Sequence, residues 1–253
     1  MELGGTTRAV ALVAVVGLGM LWVEWRRPGR TWPRVASWWP RALALTACQV
    51  GAVWLAGTLW DGWMVVHRPW SADALGPVGG ALVGYFATTF VYYWWHRWRH
   101  EVPSLWRWCH QVHHSPQRIE IITAFYKHPI ELVANAVLSS AVLYLGVGLG
   151  PAAASGAFLL TGLAELFYHW NVRTPHWLGF VIQRPESHVV HHEAGLHAFN
   201  YADLPLWDML FGTFRNPRRW QSRCGFGPEK EPRLLEMLAG VDVNQAEPAG
   251  KAP

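Results

Sequence analysis

The sequence predicts an all-α protein: a polytopic membrane helical domain of four to five spans, one pair of them a hairpin, carrying a cytosolic helical cap rich in histidine. Three observations carry that prediction. Hydrophobic residues make up 51% of the chain against 15% charged, the balance of a membrane protein rather than of a soluble domain of similar length. Five apolar stretches approach the roughly 20 residues that a helix needs to cross a bilayer. Histidines crowd directly after the third stretch, five of them within residues 96–114.

The first span is expected at 7–25. Only Arg8 precedes its apolar run, and no small-residue cleavage pattern comes before Trp22, Glu24 and Trp25, so it reads as a retained anchor rather than a signal peptide. Further spans are expected at 41–63, 74–95, 129–149 and 151–170. The last two are divided only by Gly150 and Pro151, which predicts a tight hairpin. Many of the 18 tryptophans sit beside these runs (Trp22, Trp25, Trp60, Trp63, Trp94, Trp95) and read as anchors in the headgroup layer.

Cytoplasmic loops collect Lys and Arg. Residues 26–41 hold five Arg, whereas the 64–73 loop holds only Arg68. Placing 26–41 inside and threading outward leaves Arg8 and Arg68 as the only outside cations of 21. The same threading brings every histidine except His67 to the cytoplasmic face, although histidines were not used to build it. Residues 1–80 are therefore expected to be N-terminal membrane helices, 81–215 a catalytic domain, and 216–253 a cytosolic tail with one short helical patch near Leu234.

Three histidine groups stand out: His96-x-x-x-His100, His110-x-x-His113-His114 and His188-x-x-His191-His192. Residues three and four apart share a helix face, so each group is expected to present its imidazoles in one direction. Pro103, Pro116, Pro185 and Gly195 bound the helices that would carry them. Eight imidazoles exceed what one ion can use, so two metals are implied. Imidazole suits Fe, Zn, Cu and Ni; zinc is normally satisfied by three or four ligands, and the surplus fits a dinuclear iron centre better, with zinc as a possible substitute in purified protein. His169 and His128 are further candidates, each with a carboxylate on its own helix face to orient it: Glu165 four before His169, Glu131 three after His128. Glu165 is also an ionisable group within an apolar segment, which points to function.

Other classes are disfavoured. The net charge of +4 is too mild and dispersed for a nucleic-acid partner. Cys48, Cys109 and Cys224 form no CxxC pair, which argues against a disulfide framework or thiolate zinc site and for a reducing compartment. No ExxH of a carboxylate di-iron bundle occurs, and His192-Glu193 reaches His197 one residue too late for HExxH. A membrane metal transporter or storage protein remains the alternative, but it favours ionisable groups distributed through the spans. A haem carrier would not need so many histidines together.

The runs HRWRHEVPSLWRWCHQVHHS, TAFYKHPIE, FYHWN, HVVHHEAG and NYADLPLWDMLFGTF, across about 85–215, resemble the fatty acid hydroxylase/sterol desaturase superfamily of integral membrane di-iron enzymes. The resemblance implies a helical membrane domain with a cytosolic histidine cap that hydroxylates or desaturates lipids. It implies His96, His100, His110, His113, His114, His188, His191 and His192 as ligands, points also to His169, and marks Asn200, Tyr201, Asp208, Phe211 and Gly212 as a closing structural signature. Glu101 follows His100 as in the alkylglycerol monooxygenase branch; with Glu165 and Asn200 it completes the candidate catalytic set. Two departures, Tyr126 where the family often carries Arg and the additional His197, bear on the substrate entrance.

An unactivated C–H bond demands a stronger oxidant than acid–base residues supply, and two ferrous ions with O2 as co-substrate would provide one. No GxGxxG on a strand–helix turn offers a nucleotide site, so two electrons per turnover must come from an external donor, a ferredoxin or small cytochrome with its reductase. The Arg215, Arg218, Arg219 and Arg223 surface suits either that donor or anionic lipid headgroups, with headgroups the first reading. The expected substrate is an amphipathic lipid or sterol-like molecule entering from the bilayer. Arg far exceeding Lys, with much Ala and Gly, points to a bacterial inner membrane with the histidines on its cytoplasmic face.

Overall fold

The computed structural model describes residues 4–220 and 222–245, with side chains from residue 11 onward, so the Arg8 side chain and tail residues 246–253 lie outside the described residues. Seven helices organise the site: α1 (Gly4–Arg26), α2 (Trp38–Leu59), α3 (Gly76–Glu101), α4 (Gln111–His114), α5 (Pro129–Ser140), α6 (Pro151–His169) and α7 (Pro185–His191). Among the described residues there is no strand, only an isolated antiparallel bridge between Glu193 and Cys224.

Among the described residues, three helices are long and apolar enough to cross a membrane: Trp38–Leu59, Asp73–Glu101 and Pro129–Gly146. They are the second, third and fourth expected spans; the first and fifth form α1 and α6. The expected hairpin is present. A π-helical turn at Ala141–Gly146 extends α5, Gly148 turns the chain at φ 79°, and Pro151 opens α6 at its first position, where a missing N–H costs nothing.

α6 packs against both α1 and α3, while α2 packs against α5. Small residues permit the closest approach. A Cβ added at Gly80 of α3 would stand 2.7 Å from Cβ of Ala153, and one at Gly156 of α6 would stand 2.7 Å from Cβ of Ala81. Helices in lipid gain little from apolar contact alone, so close backbone packing carries their association.

α3 runs on to Glu101, past the expected end at 95, and Pro103 restarts the chain. His96 and His100 therefore ride on the last turns of a helix anchored in the bilayer. The cap folds over them. Glu24 at the end of α1 accepts the backbone N–H groups of Ile121 and Asn171 through Oε2, and Trp38, Val112, Tyr126, Phe226 and Met237 share one core cluster. The short tail helix, Leu234–Leu238, belongs to this brace beneath α4.

Not all the expected interfacial tryptophans face outward. Trp22, Trp25 and Trp63 are exposed, but Trp60 and Trp95 are part-buried and donate to Ser140 Oγ and Asn135 Oδ1. An indole N–H that finds a buried acceptor is drawn inward.

Candidate metal centre

Nine imidazoles converge in two groups. His96, His100, His110, His114 and His191 form the first; His113, His169, His188 and His192 form the second; within each, the ligand nitrogens lie within 4.8 Å of one another. The distribution corrects the expectation that each HxxHH run faces one way. The i,i+4 pair of each run stays with its own group (His110 and His114; His188 and His192), while the remaining histidine crosses to the other (His113 and His191). On a helix, residue i+3 is turned away from the i,i+4 line far enough to reach a neighbouring site. A π-helical turn at Trp106–His110 leads directly into α4, the kind of distortion that recurs at functional sites.

Second partners aim the rings. Nδ1 of His96 lies 2.7 Å from the Tyr201 carbonyl, that of His191 2.7 Å from the Phe199 carbonyl, and that of His169 2.9 Å from the Glu165 carbonyl. His113 Nδ1 meets the Tyr126 carbonyl at 3.3 Å, His110 Nδ1 meets Glu131 Oε1 at 3.1 Å, and His188 Nδ1 meets Gln183 Oε1 at 3.2 Å. A carbonyl or carboxylate oxygen accepts, so these six Nδ1 atoms donate and the Nε2 of each of these six rings is left as a bare lone pair.

Those lone pairs point at one another. Nε2···Nε2 distances are 2.9 Å for His96–His110, 3.1 Å for His110–His114, 3.3 Å for His113–His169, 3.0 Å for His169–His188 and 3.0 Å for His188–His192. With metal–nitrogen bonds of about 2.1 Å, neighbouring ligands lie about 3.0 Å apart at a right angle and about 3.4 Å apart at the tetrahedral angle. The observed spacings fall in that interval, apart from His96–His110, which lies 0.1 Å below it. His100 Nε2 and His191 Nε2 are also buried without any hydrogen-bond partner. In the His96–His110, His113–His169 and His169–His188 pairs both nitrogens are acceptors with no proton between them, and with the orphaned nitrogens beside them they fit a cation in each group.

The electrostatics agree. Burial pushes His110, His113, His114, His188 and His192 well below the ordinary imidazole pKa, with neighbouring imidazoles adding to the effect, and lowers His191 to about 3. They are neutral near pH 7, as ligation requires.

Residues 81–213, just over half of the chain, match the family described as fatty acid hydroxylase. The chain belongs to the fatty acid hydroxylase family. It is 28% identical to human alkylglycerol monooxygenase over 160 residues, 62% of this chain and 34% of that protein. It is 36% identical to ornithine lipid hydroxylase OlsE of Rhizobium tropici over 144 residues, 54% of this chain and 42% of that one. A rice very-long-chain aldehyde decarbonylase, GL1-9, is 26% identical over 122 residues, 47% of each chain. The aligned part spans between about a third and a half of these relatives' lengths. No solved structure matches the chain significantly.

Within this family member, several expected partnerships are rearranged. Glu165 does not orient His169 through its carboxylate; the backbone carbonyl does, and the carboxylate pairs with Lys127. A helical i,i+4 carbonyl was the nearer acceptor. Glu131 serves His110 and Arg99 rather than His128. His128 is a helix cap, accepting from the Ile130 N–H, with Nε2 at the Leu238 carbonyl, and neither it nor His197 joins a group. Glu101 is exposed and ion-paired to Arg97 at 2.7 Å, outside both groups. Tyr126 is fully buried, stacked on Trp38 at 5.2 Å, and accepts a hydrogen bond from Arg41. His197 Nδ1 lies 3.2 Å from His114 Nδ1, at the edge of the first group.

Asn200 works through the backbone. At φ 50°, its amide donates to the Ser187 and Arg215 carbonyls and accepts from the Arg215 N–H. This holds the Phe199 and Tyr201 carbonyls on either side against His191 and His96. Asp208 completes the clasp by accepting the Tyr201 and Ala202 N–H groups and the Thr213 hydroxyl. Sequence reasoning missed Gln183 and the carbonyls of Tyr126, Phe199 and Tyr201. Gln183 carries no periodic signal, and a carbonyl has no letter of its own.

Proposed function

We propose that this chain is a membrane di-iron oxygenase that hydroxylates, or desaturates, a C–H position of an amphipathic lipid or sterol-like substrate, using O2 and two external electrons. The observation that carries the reading is the pair of imidazole groups, five and four strong, whose ligand nitrogens converge within 4.8 Å of one another. Each group falls short of the six ligands of an octahedral ion, which leaves positions for reactants. Two iron ions bound there, with O2, supply an oxidant able to attack an unactivated C–H bond. The lipid substrate class is supported by two relatives whose names specify alkylglycerol and ornithine lipid.

The chain's own residues bind, orient and shield. The carbonyls of Tyr201, Phe199, Glu165 and Tyr126 hold the ring planes, and donation through Nδ1 raises the basicity of each Nε2. Seven of the nine imidazoles are buried, which keeps bulk water from the reacting carbon. Glu165, neutralised by Lys127, and Asn200 act by positioning. The spans offer lateral entry from the bilayer. The exposed Arg215, Arg218, Arg219 and Arg223 suit an acidic donor such as a ferredoxin or small cytochrome at the cytoplasmic face of a bacterial inner membrane.

The test is elemental analysis of detergent-purified protein, wild type against a His113→Ala, His191→Ala double variant that removes one imidazole from each group. About two irons per chain, lost in the variant, with 18O from O2 appearing in a lipid product on addition of a reductase, is the expected result. One equivalent or less of a labile divalent ion, retained in the variant, overturns the reading in favour of metal transport or storage.

A further inference from the structure

Apart from the imidazole groups, a crevice of about 510 Å³ opens where the end of α1 meets the cap. Its setting is interfacial: Trp25 and Trp39 line it and both are exposed, as rings in a headgroup layer are. Its walls also carry two cations and two carboxylates, Arg30, Arg118, Glu24 and Glu120.

Two of these charges cancel. Arg118 holds Glu120 at 2.6 Å. Arg30 and Glu24 remain, and no ion pair joins them. The Arg30 guanidinium lies over the Trp220 ring, at 5.6 Å; Glu186, the carboxylate that acts on it, is already committed to Arg184 and Thr174. Both hydrogen bonds to Glu24 fall on Oε2. Trp32, in the same wall, has a buried indole N–H without a partner. A half-buried cation and an unused donor lining one crevice call for an anionic oxygen, and the Glu24 oxygen that neither amide takes suits an ammonium.

We propose that this crevice binds the zwitterionic headgroup of a membrane lipid, with Arg30 and the Trp32 N–H on its anionic oxygen and Glu24 on its ammonium. The site is separate from the imidazole groups, and its occupancy does not depend on metal.

Native mass spectrometry of the full chain in detergent, titrated with dioctanoyl-phosphatidylethanolamine, tests it. Saturable binding is expected, weakened at least about tenfold by Arg30→Gln, a loss of about 1.4 kcal/mol or more, and unchanged by Arg107→Gln, an exposed cap residue outside the crevice. Glu24→Gln keeps an acceptor for the two amides and is expected to weaken phosphatidylethanolamine but not dioctanoyl-phosphatidylglycerol. Equal binding of dioctanoylglycerol, or wild-type affinity in Arg30→Gln, overturns the site. Phosphatidylglycerol binding as tightly as phosphatidylethanolamine to the wild-type chain overturns the zwitterion, and displacement by inorganic phosphate at similar concentration overturns the lipid. None of these readouts requires iron, so the result stands apart from the oxygenase test.

Discussion

His113 and His114 are consecutive in the chain yet serve different imidazole groups, their rings crossing at 87° with centroids 5.6 Å apart. His191 and His192 repeat the division, at 86° and 5.2 Å. The short helices α4 and α7 are thus each shared by both groups, and the two sites form one unit.

Removing a ligand should have unequal effects. His114→Ala leaves the first group four imidazoles, whereas His113→Ala leaves the second only three. The His113 variant is expected to retain the smaller amount of iron after dialysis against a chelator, read by elemental analysis. Equal retention would contradict the division into five and four.

Asn200→Ala deletes three hydrogen bonds at a left-handed backbone position. At about 1 kcal/mol each, with added strain for a residue lacking the side-chain compensation, the expected destabilisation is about 3–4 kcal/mol. Thermal unfolding in detergent should show it. Asn200→Gly relieves the backbone strain but not the lost bonds, and should fall between.

Glu131 is buried against Arg99 and His110. Glu131→Leu strands a buried guanidinium and is expected to cost about 3–5 kcal/mol, whereas Arg99→Met combined with Glu131→Leu recovers most of it. A double variant no more stable than the single would show that the pairing does not govern this site.

Gly156→Leu drives a side chain into Ala81 of the neighbouring helix. Overpacking of this kind costs about 1–3 kcal/mol or more. Gly19, whose added Cβ would meet nothing within 4 Å, is the matched control, and a melting-temperature comparison separates them.

For metal-free protein, the pH dependence has a defined sign. His191, lowered to about 3, and the cap imidazoles held well below their ordinary value stay neutral in the folded state, while the unfolded chain protonates near pH 6.5. Between those values the unfolded state binds more protons, so stability falls as pH drops below about 6.5 and levels off above it. Burial raises Asp203 and Asp208 to about 7, which opposes this trend over part of the window, but they are outnumbered. Chemical denaturation of chelated protein from pH 5 to 8 checks the slope.

The helices and the histidines that converge were legible because both rest on periodic or local signals. Apolar length exposed the spans, and His-x-x-His-His spacing named the residues that converge. Their partition was not legible: deciding that His113 leaves His110 and His114 requires knowing where α6 and α7 lie. Nor were the partners of the rings. Glu131 reaches back across α3 to Arg99 and His110, while His128, three residues before it, is used up as a helix cap; sequence proximity suggested the reverse pairing. The clasp at Asn200 and Asp208 was visible as a signature, but its action on His96 and His191 passes through carbonyls.

The lone pairs facing one another at about 3 Å also bear on how the molecule is made. On the di-iron reading, the facing lone pairs repel when no cation lies between them, so the metal-free cap is less stable than the loaded one, and α4 and α7, which both groups share, gain from the filling of either. A newly inserted chain in an iron-starved cell would keep that cap loose and open to membrane proteases. Cellular abundance of the protein should then follow iron supply, with no transcriptional control required.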